Sequence, residues 1–130
     1  MNMKACYHID ILPQSGVKVT LEGNLLRILF DFIPATPVVE EGMEAPTDLY
    51  NCESVDVNGR GYGEIVSAIM NDAYSPDAYQ AILANYELAK DKNSGITSEK
   101  KAEYLAEYQA FQAARVHAKE IATIAVSLIS

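Results

Sequence analysis

Residues Thr97 to Ser130 read TSEKKAEYLAEYQAFQAARVHAKEIATIAVSLIS and contain neither proline nor glycine. Apolar residues recur there at helical spacing, which predicts one unbroken helix of up to about 31 residues, roughly 47 Å long. The helix predicted before it, Ser75 to Lys92, is about half that length. A hairpin with such unequal helices leaves apolar surface on the longer one. Either the N-terminal half or a second copy of the chain must cover that surface.

The second half of the long helix is rich in small side chains, so a packing partner can approach it closely. We expect this helix to contact other proteins, either a second copy of the chain in a homo-oligomer or a different partner. The candidate interface is one helical stripe, formed by Ala114, Ala118, Ile121, Ala125 and Leu128.

Two shorter helices are predicted upstream. One runs from about Tyr62 to Asp72, with Ile65, Val66 and Ile69 on its inner face. The next starts at Ser-Pro-Asp, because serine is a good N-cap and proline suits the first helical position. Four tyrosines are expected to form the core of the helical hairpin, with their hydroxyls at its margin: Tyr79, Tyr86, Tyr104 and Tyr108.

The first half of the chain shows the two-residue alternation of β-strands, beginning with Ala5 to Ile11. Val17–Leu21 and Leu25–Ile33 flank a turn-forming Glu-Gly-Asn sequence and predict a hairpin. The return strand is apolar on both faces, so we expect it to be central. Pro34 to Asp48 is predicted to be a loop, and Leu49 to Val57 a further strand.

Alternation within the return strand predicts which side chains share a face. Leu26, Ile28 and Phe30 are expected on one face with Phe32, and Arg27 and Asp31 on the other. Strands followed by helices indicate an α+β fold, with a small N-terminal antiparallel sheet and a helical hairpin that ends in one long helix. Residues 1–61 form the β-rich part and residues 62–130 the helical part of what we expect to be one folded unit.

The net charge is −8, and it is spread along the chain: −5 over residues 1–61 and −3 over residues 62–130. This acidity disfavours binding to nucleic acid or to an anionic membrane, both of which need a basic surface, and it favours a protein partner. No stretch has the length and apolarity of a membrane span or a signal peptide. We therefore expect a cytoplasmic protein in which Cys6 and Cys52 are free thiols, although the sequence leaves their pairing open.

Cys6, His8 and Asp10 resemble a nucleophilic triad in composition but not in geometry. Alternate strand residues lie about 6.6 Å apart, beyond the 2.6–3.2 Å or so that a nucleophile and its base need. These residues could join Cys52 or His117 in a zinc site, but no Cys-x-x-Cys or His-x-x-x-His spacing supports one. We expect no catalytic residues, no metal and no cofactor.

Two further patterns have ordinary explanations. The glycines of Gly59-Arg60-Gly61-Tyr62-Gly63 lack the spacing of a nucleotide-binding loop, so we interpret this segment as a strand-to-helix joint, with Arg60 as a weak anion-binding candidate. Glu99, Glu103 and Glu107 form a stripe that we interpret as a solvated helix face or a docking surface for a basic partner.

Two segments carry a family resemblance: LYNCESVDVNGRGYGEIVSAIMNDAYSPDAYQAILANYELAKD, from Leu49, and EYLAEYQAFQAARVHAKEIA, from Glu103. They resemble small uncharacterised proteins that phages and prophages of gut bacteria encode among tail or other structural genes. The resemblance spans Leu49 to Ala118 and contains no catalytic motif. It implies a virion-associated or tail-assembly role in the bacterial host.

We therefore predict a non-enzymatic structural or tail-assembly accessory protein that binds itself or a phage tail protein. The alternative is a monomeric acidic binding module, such as an inhibitor of a host protein or a DNA mimic. An enzyme would require a metal or thiol site built from Cys6, His8 and Cys52.

Overall fold

The structure is a computed structural model, and it describes residues 5–8, 13–35, 41–43 and 49–129. Four strands come first: β1 (Ala5–His8), β2 (Val17–Glu22), β3 (Leu25–Pro34) and β4 (Leu49–Val57). Three helices follow: α1 (Tyr62–Ala73), α2 (Pro76–Lys90) and α3 (Ser98–Ile129). The α+β prediction is confirmed. The predicted continuation of the first strand to Ile11 and most of the predicted loop from Pro34 to Asp48 lie outside the described residues.

The strands form one antiparallel sheet in the order β1-β4-β3-β2. β3 is a central strand, as its apolar residues on both faces predicted. The turn between β2 and β3 contains Gly23 at φ 62, a left-handed conformation that glycine adopts without a steric penalty. In the register between β1 and β4, Cys52 lies opposite Ala5 and Cys6 opposite Asn51.

A bulge interrupts the pairing of β3 with β4. Phe30 pairs with Glu53 and Ile33 with Asn51, so β3 takes three steps where β4 takes two. Asp31 lies in this bulge with φ 55, the left-handed region that aspartate tolerates better than most residues. The bulge ends the strict alternation along β3.

The core lies between one face of the sheet and the helices α1 and α3. Its strand residues include Leu26, Ile28 and Phe30, and its α1 residues are Ile65 and Ile69, as the helical periodicity predicted. One cluster thus contains residues from both the β-rich and the helical parts. α1 packs against β4, and α3 packs against both α1 and β2.

The helix boundaries follow the expected capping chemistry. Ser75 accepts a hydrogen bond from the amide of Ala78 at 3.1 Å, and Pro76 is the first residue of α2. Thr97 accepts one from the amide of Lys100 at 3.1 Å before α3 begins. α3 then continues for 32 residues, about 48 Å at 1.5 Å per residue.

Candidate functional site

The long helix α3 has two halves with different surroundings. All of its residues in the core cluster lie from Ala118 onward, where the helix packs on the sheet and on α1. Its first half packs against α2, and α2 makes no comparably extensive contact with any other element. We call this antiparallel pair, residues 76–112, the arm, and the rest of the described structure the body.

The predicted interface stripe lies largely inside the protein's own core. Ala118 and Ala125 have no exposed surface and Ile121 is 5% exposed, because the sheet and α1 cover this face of α3. Ala114 is half-buried, and Leu128 is 50% exposed. The expectation of an intermolecular contact through this stripe is therefore corrected: the N-terminal half covers the apolar surface that the short helix cannot.

The arm is held together by aromatic contacts. The rings of Tyr86 and Tyr108 stack with centroids 3.7 Å apart and planes 9° apart, and the ammonium of Lys90 lies 4.7 Å from the centroid of the Tyr86 ring. Gln112 donates a 2.8 Å hydrogen bond to the Tyr108 hydroxyl. The predicted contact between tyrosines of the two helices is thus present for this partly buried pair, whereas Tyr79 packs instead against Phe111, with ring centroids 5.1 Å apart.

The arm leaves much of its apolar surface open. Ala89 is the one buried residue of α2, and α3 has none before Phe111. Leu83 and Leu105 are only half-buried, although their types would suit an interior. On each helix the leucine lies about 90° around the axis from the face that contacts the other helix. Because the two helices are antiparallel, both leucines lie on the same side of the arm. We call this side the arm seam.

Where the arm joins the body, α1, α2 and α3 enclose a cleft of about 350 Å³, which we call the Phe111 groove. Phe111 forms its floor and packs edge-to-face against Tyr74, with centroids 5.1 Å apart. The lining residues are Val66, Ser67, Met70, Asn71, Tyr74, Pro76, Tyr79, Phe111 and Arg115. Sequence periodicity could not show that three helix surfaces converge around Phe111.

A second cleft, of about 360 Å³, contains an aspartate–histidine pair. Nε2 of His117 on α3 lies 2.8 and 3.1 Å from the two carboxylate oxygens of Asp31. The prediction that Asp31 faces away from Phe30 is wrong, because the bulge turns its carboxylate toward the helix layer. The signal that could have indicated this is the acidic residue within an apolar strand.

The chemistry of this second cleft is limited by its hydrogen bonding. Nδ1 of His117 lies 4.0 Å from the Glu120 carboxylate, so both ring nitrogens face carboxylates. Ser15 also lines the cleft, but its hydroxyl is 3.3 Å from the carbonyl and 3.4 Å from the amide of Val17. Such an arrangement lacks the contact between nucleophile and base that covalent catalysis needs. The pair instead joins α3 to the bulge of β3.

The carboxylate of Glu64 fills the space beside Gly59 and Gly61 in the glycine-rich joint between β4 and α1. A Cβ at Gly59, where φ is 148°, would collide with the carboxylate of Glu64, and a Cβ at Gly61 would lie 3.0 Å from it. Glu64 belongs to the first turn of α1, where a negative charge is favoured by the helix dipole. The glycines therefore allow Glu64 to fold back over the joint.

Of the remaining candidates, Asp10 and the side chains of Cys6 and His8 lie outside the described part of the structure. Cys52 is fully buried, and within the described part of the chain no three His, Cys, Asp or Glu side chains are grouped to hold a metal. Glu99, Glu103 and Glu107 are exposed on the arm. Lys100 donates a 3.3 Å hydrogen bond to Glu103, and this contact raises the pKa of Lys100.

Comparison with known proteins adds no relative: no family model matches the chain, and neither a curated protein nor a solved structure is significantly similar to it. Among the helices described, none combines the length and apolarity needed to cross a bilayer.

Proposed function

We propose that this protein is a non-enzymatic structural or assembly protein that acts through protein–protein contacts of its arm. The observation that carries the proposal is the open arm seam. Two helices side by side enclose no interior, so apolar residues such as Leu83 and Leu105 are buried only in part unless another helix covers them. The long C-terminal helix thus supplies the contact surface through its first half rather than through the Ala114–Leu128 stripe.

The occupant we propose for the arm seam is the arm of a second copy. The arm contains six acidic residues and four lysines, so it carries −2 of the total charge of −8. Charge repulsion between two arms is correspondingly small. Two antiparallel helix pairs that meet along their apolar sides form a four-helix bundle, which encloses the core that each pair lacks.

The biological setting we propose comes from the resemblance of Leu49 to Ala118 to phage and prophage proteins. In that setting the protein assists the assembly of a phage tail in the cytoplasm of the bacterial host, or becomes part of the virion. A tail protein is then the second class of partner. An acidic inhibitor or DNA mimic is a weaker proposal, because Lys100 and Lys101 interrupt the acidic row and Lys100 pairs with Glu103 at 3.3 Å.

The test is the native mass, measured by light scattering after size-exclusion chromatography. The monomer mass is 14.2 kDa, so a dimer has about twice that mass. Leu105→Glu and Leu83→Glu place a charge on the arm seam and should yield monomers. Leu88→Glu is the matched control: Leu88 is 42% exposed and lies about 140° around α2 from Leu83, so this variant should remain dimeric.

Far-UV circular dichroism shows whether the two seam variants keep the helix content of the wild type. A wild type that stays monomeric at high protein concentration would refute self-assembly. A folded Leu105→Glu variant that remains dimeric would refute the arm seam as its surface.

A further inference from the structure

The Phe111 groove carries one charge, and that charge is positive. Arg115 is its sole charged lining residue, and no ion pair to it is found within the described ranges. Arg115 is exposed, so its guanidinium is open to a ligand, although the protein as a whole has a net charge of −8. Arginine is suited to such a place because its planar head binds carboxylates through two parallel hydrogen bonds.

The apolar surface extends past the groove along α1. Val66 and Met70 line the groove, and Tyr62, one turn before Val66, is 44% exposed. These three residues have i, i+4, i+8 spacing and form a strip about 12 Å long on one side of the helix. Ser67 and Asn71, one turn apart, add polar side chains to the lining. A strip of this length suits a short peptide better than a small molecule.

We propose that the Phe111 groove binds an acidic peptide segment of a partner protein. An aromatic side chain of the segment packs on Tyr79, which is 42% exposed beside the buried ring of Phe111, and a neighbouring carboxylate pairs with Arg115. Ser67 and Asn71 supply hydrogen bonds to the peptide backbone. This site is separate from the arm seam, so the protein has one surface for its own copies and another for a different protein.

The proposal can be tested with short acetylated and amidated peptides that alternate Trp and Glu. The protein has no tryptophan, so peptide fluorescence reports binding without a protein background. The first comparison peptide replaces every Glu with Gln, and the second replaces every Trp with Ala. Arg115→Gln removes the proposed cation. Lys119→Gln is the control, since Lys119 is an exposed cation one turn further along α3 that does not line the groove.

We expect the Trp–Glu peptide to bind about fivefold more tightly than its Gln counterpart, the scale of one partly exposed ion pair. Arg115→Gln should abolish that difference, and Lys119→Gln should preserve it. The peptide without aromatic residues should not bind. Tyr79→Ser should weaken both aromatic peptides to the same extent, since it removes a ring from the groove without changing its charge.

Three results would overturn the proposal: no binding of the Trp–Glu peptide to the wild type, equal affinity for the Glu and Gln peptides, or equal losses in Arg115→Gln and Lys119→Gln. None of them bears on self-assembly, because the native mass is measured without peptide. A failure of the groove is therefore distinguishable from a failure of the arm seam.

Discussion

Replacing Ala118 with leucine tests whether the second half of α3 belongs to the core of its own chain. Ala118, Ala122 and Ala125 are all fully buried, which means that sheet and helix meet at the distance that three methyl groups allow. Leucine adds three carbon atoms at a site with no free surface. Overpacking of this kind costs about 1–3 kcal/mol of the free energy of unfolding.

Urea denaturation followed by circular dichroism measures this loss. For a chain of this size, about 2 kcal/mol corresponds to a midpoint lowered by roughly 1 M urea at an m-value of about 2 kcal/mol/M. The same loss lowers the melting temperature by about 7 °C. Ala113→Leu is the control, because Ala113 is exposed on the same helix and leucine there should change stability by less than about 0.5 kcal/mol.

The measurement also separates a core from an interface. The cost of Ala118→Leu should be the same at low and high protein concentration, because the crowded atoms belong to one chain. A cost that disappears on dilution would mean that a second copy covers Ala118, and an unchanged midpoint would mean that the helix does not lie against the sheet. Either result would refute the packing described here.

Three further sets of substitutions probe other parts of the fold, each measured by urea denaturation. Gly59→Ala should lower the free energy of unfolding by about 1–2 kcal/mol, because its φ is positive and the new Cβ collides with the Glu64 carboxylate. Adding Glu64→Ala removes the collision but not the backbone strain, so it should restore only part of the lost stability. Full restoration would contradict this division. Asp31→Ala and His117→Ala should show a coupling of about 0.5–1.5 kcal/mol in a double-mutant cycle, whereas additive losses would mean that their hydrogen bond contributes nothing to stability. Ser75→Ala should cost about 1 kcal/mol by removing the N-cap of α2, while Ser75→Asp, which preserves the cap, should not.

Local patterns in the sequence predicted most elements of the fold. Helical periodicity, a serine N-cap and a proline at the first helical position located α2. Two-residue alternation and a turn-forming Gly-Asn pair located the hairpin of β2 and β3. These features depend on residues within a few positions of one another, and short-range steric and hydrogen-bonding preferences act over that distance.

The candidate sites were much less predictable. The Phe111 groove combines side chains from three helices, and the contact between Asp31 and His117 joins residues far apart in the chain. The bulge that makes this contact possible also places the Asp31 side chain on the opposite face of the sheet from the one predicted. No local pattern specifies such a bulge, because it is a shift in the pairing of two strands that lie far apart in the chain.

The sequence by itself determined that a long helix must have its apolar surface covered, since that follows from its length and periodicity. It left open what covers it. The tertiary structure decided between the sheet and a second chain: Ala118, Ile121 and Ala125 face the sheet and α1, whereas Leu83 and Leu105 of the arm seam are buried only in part. The physical reason is that burial depends on which surfaces meet in space, and the small side chains of α3 allow the sheet to approach closely only along its second half.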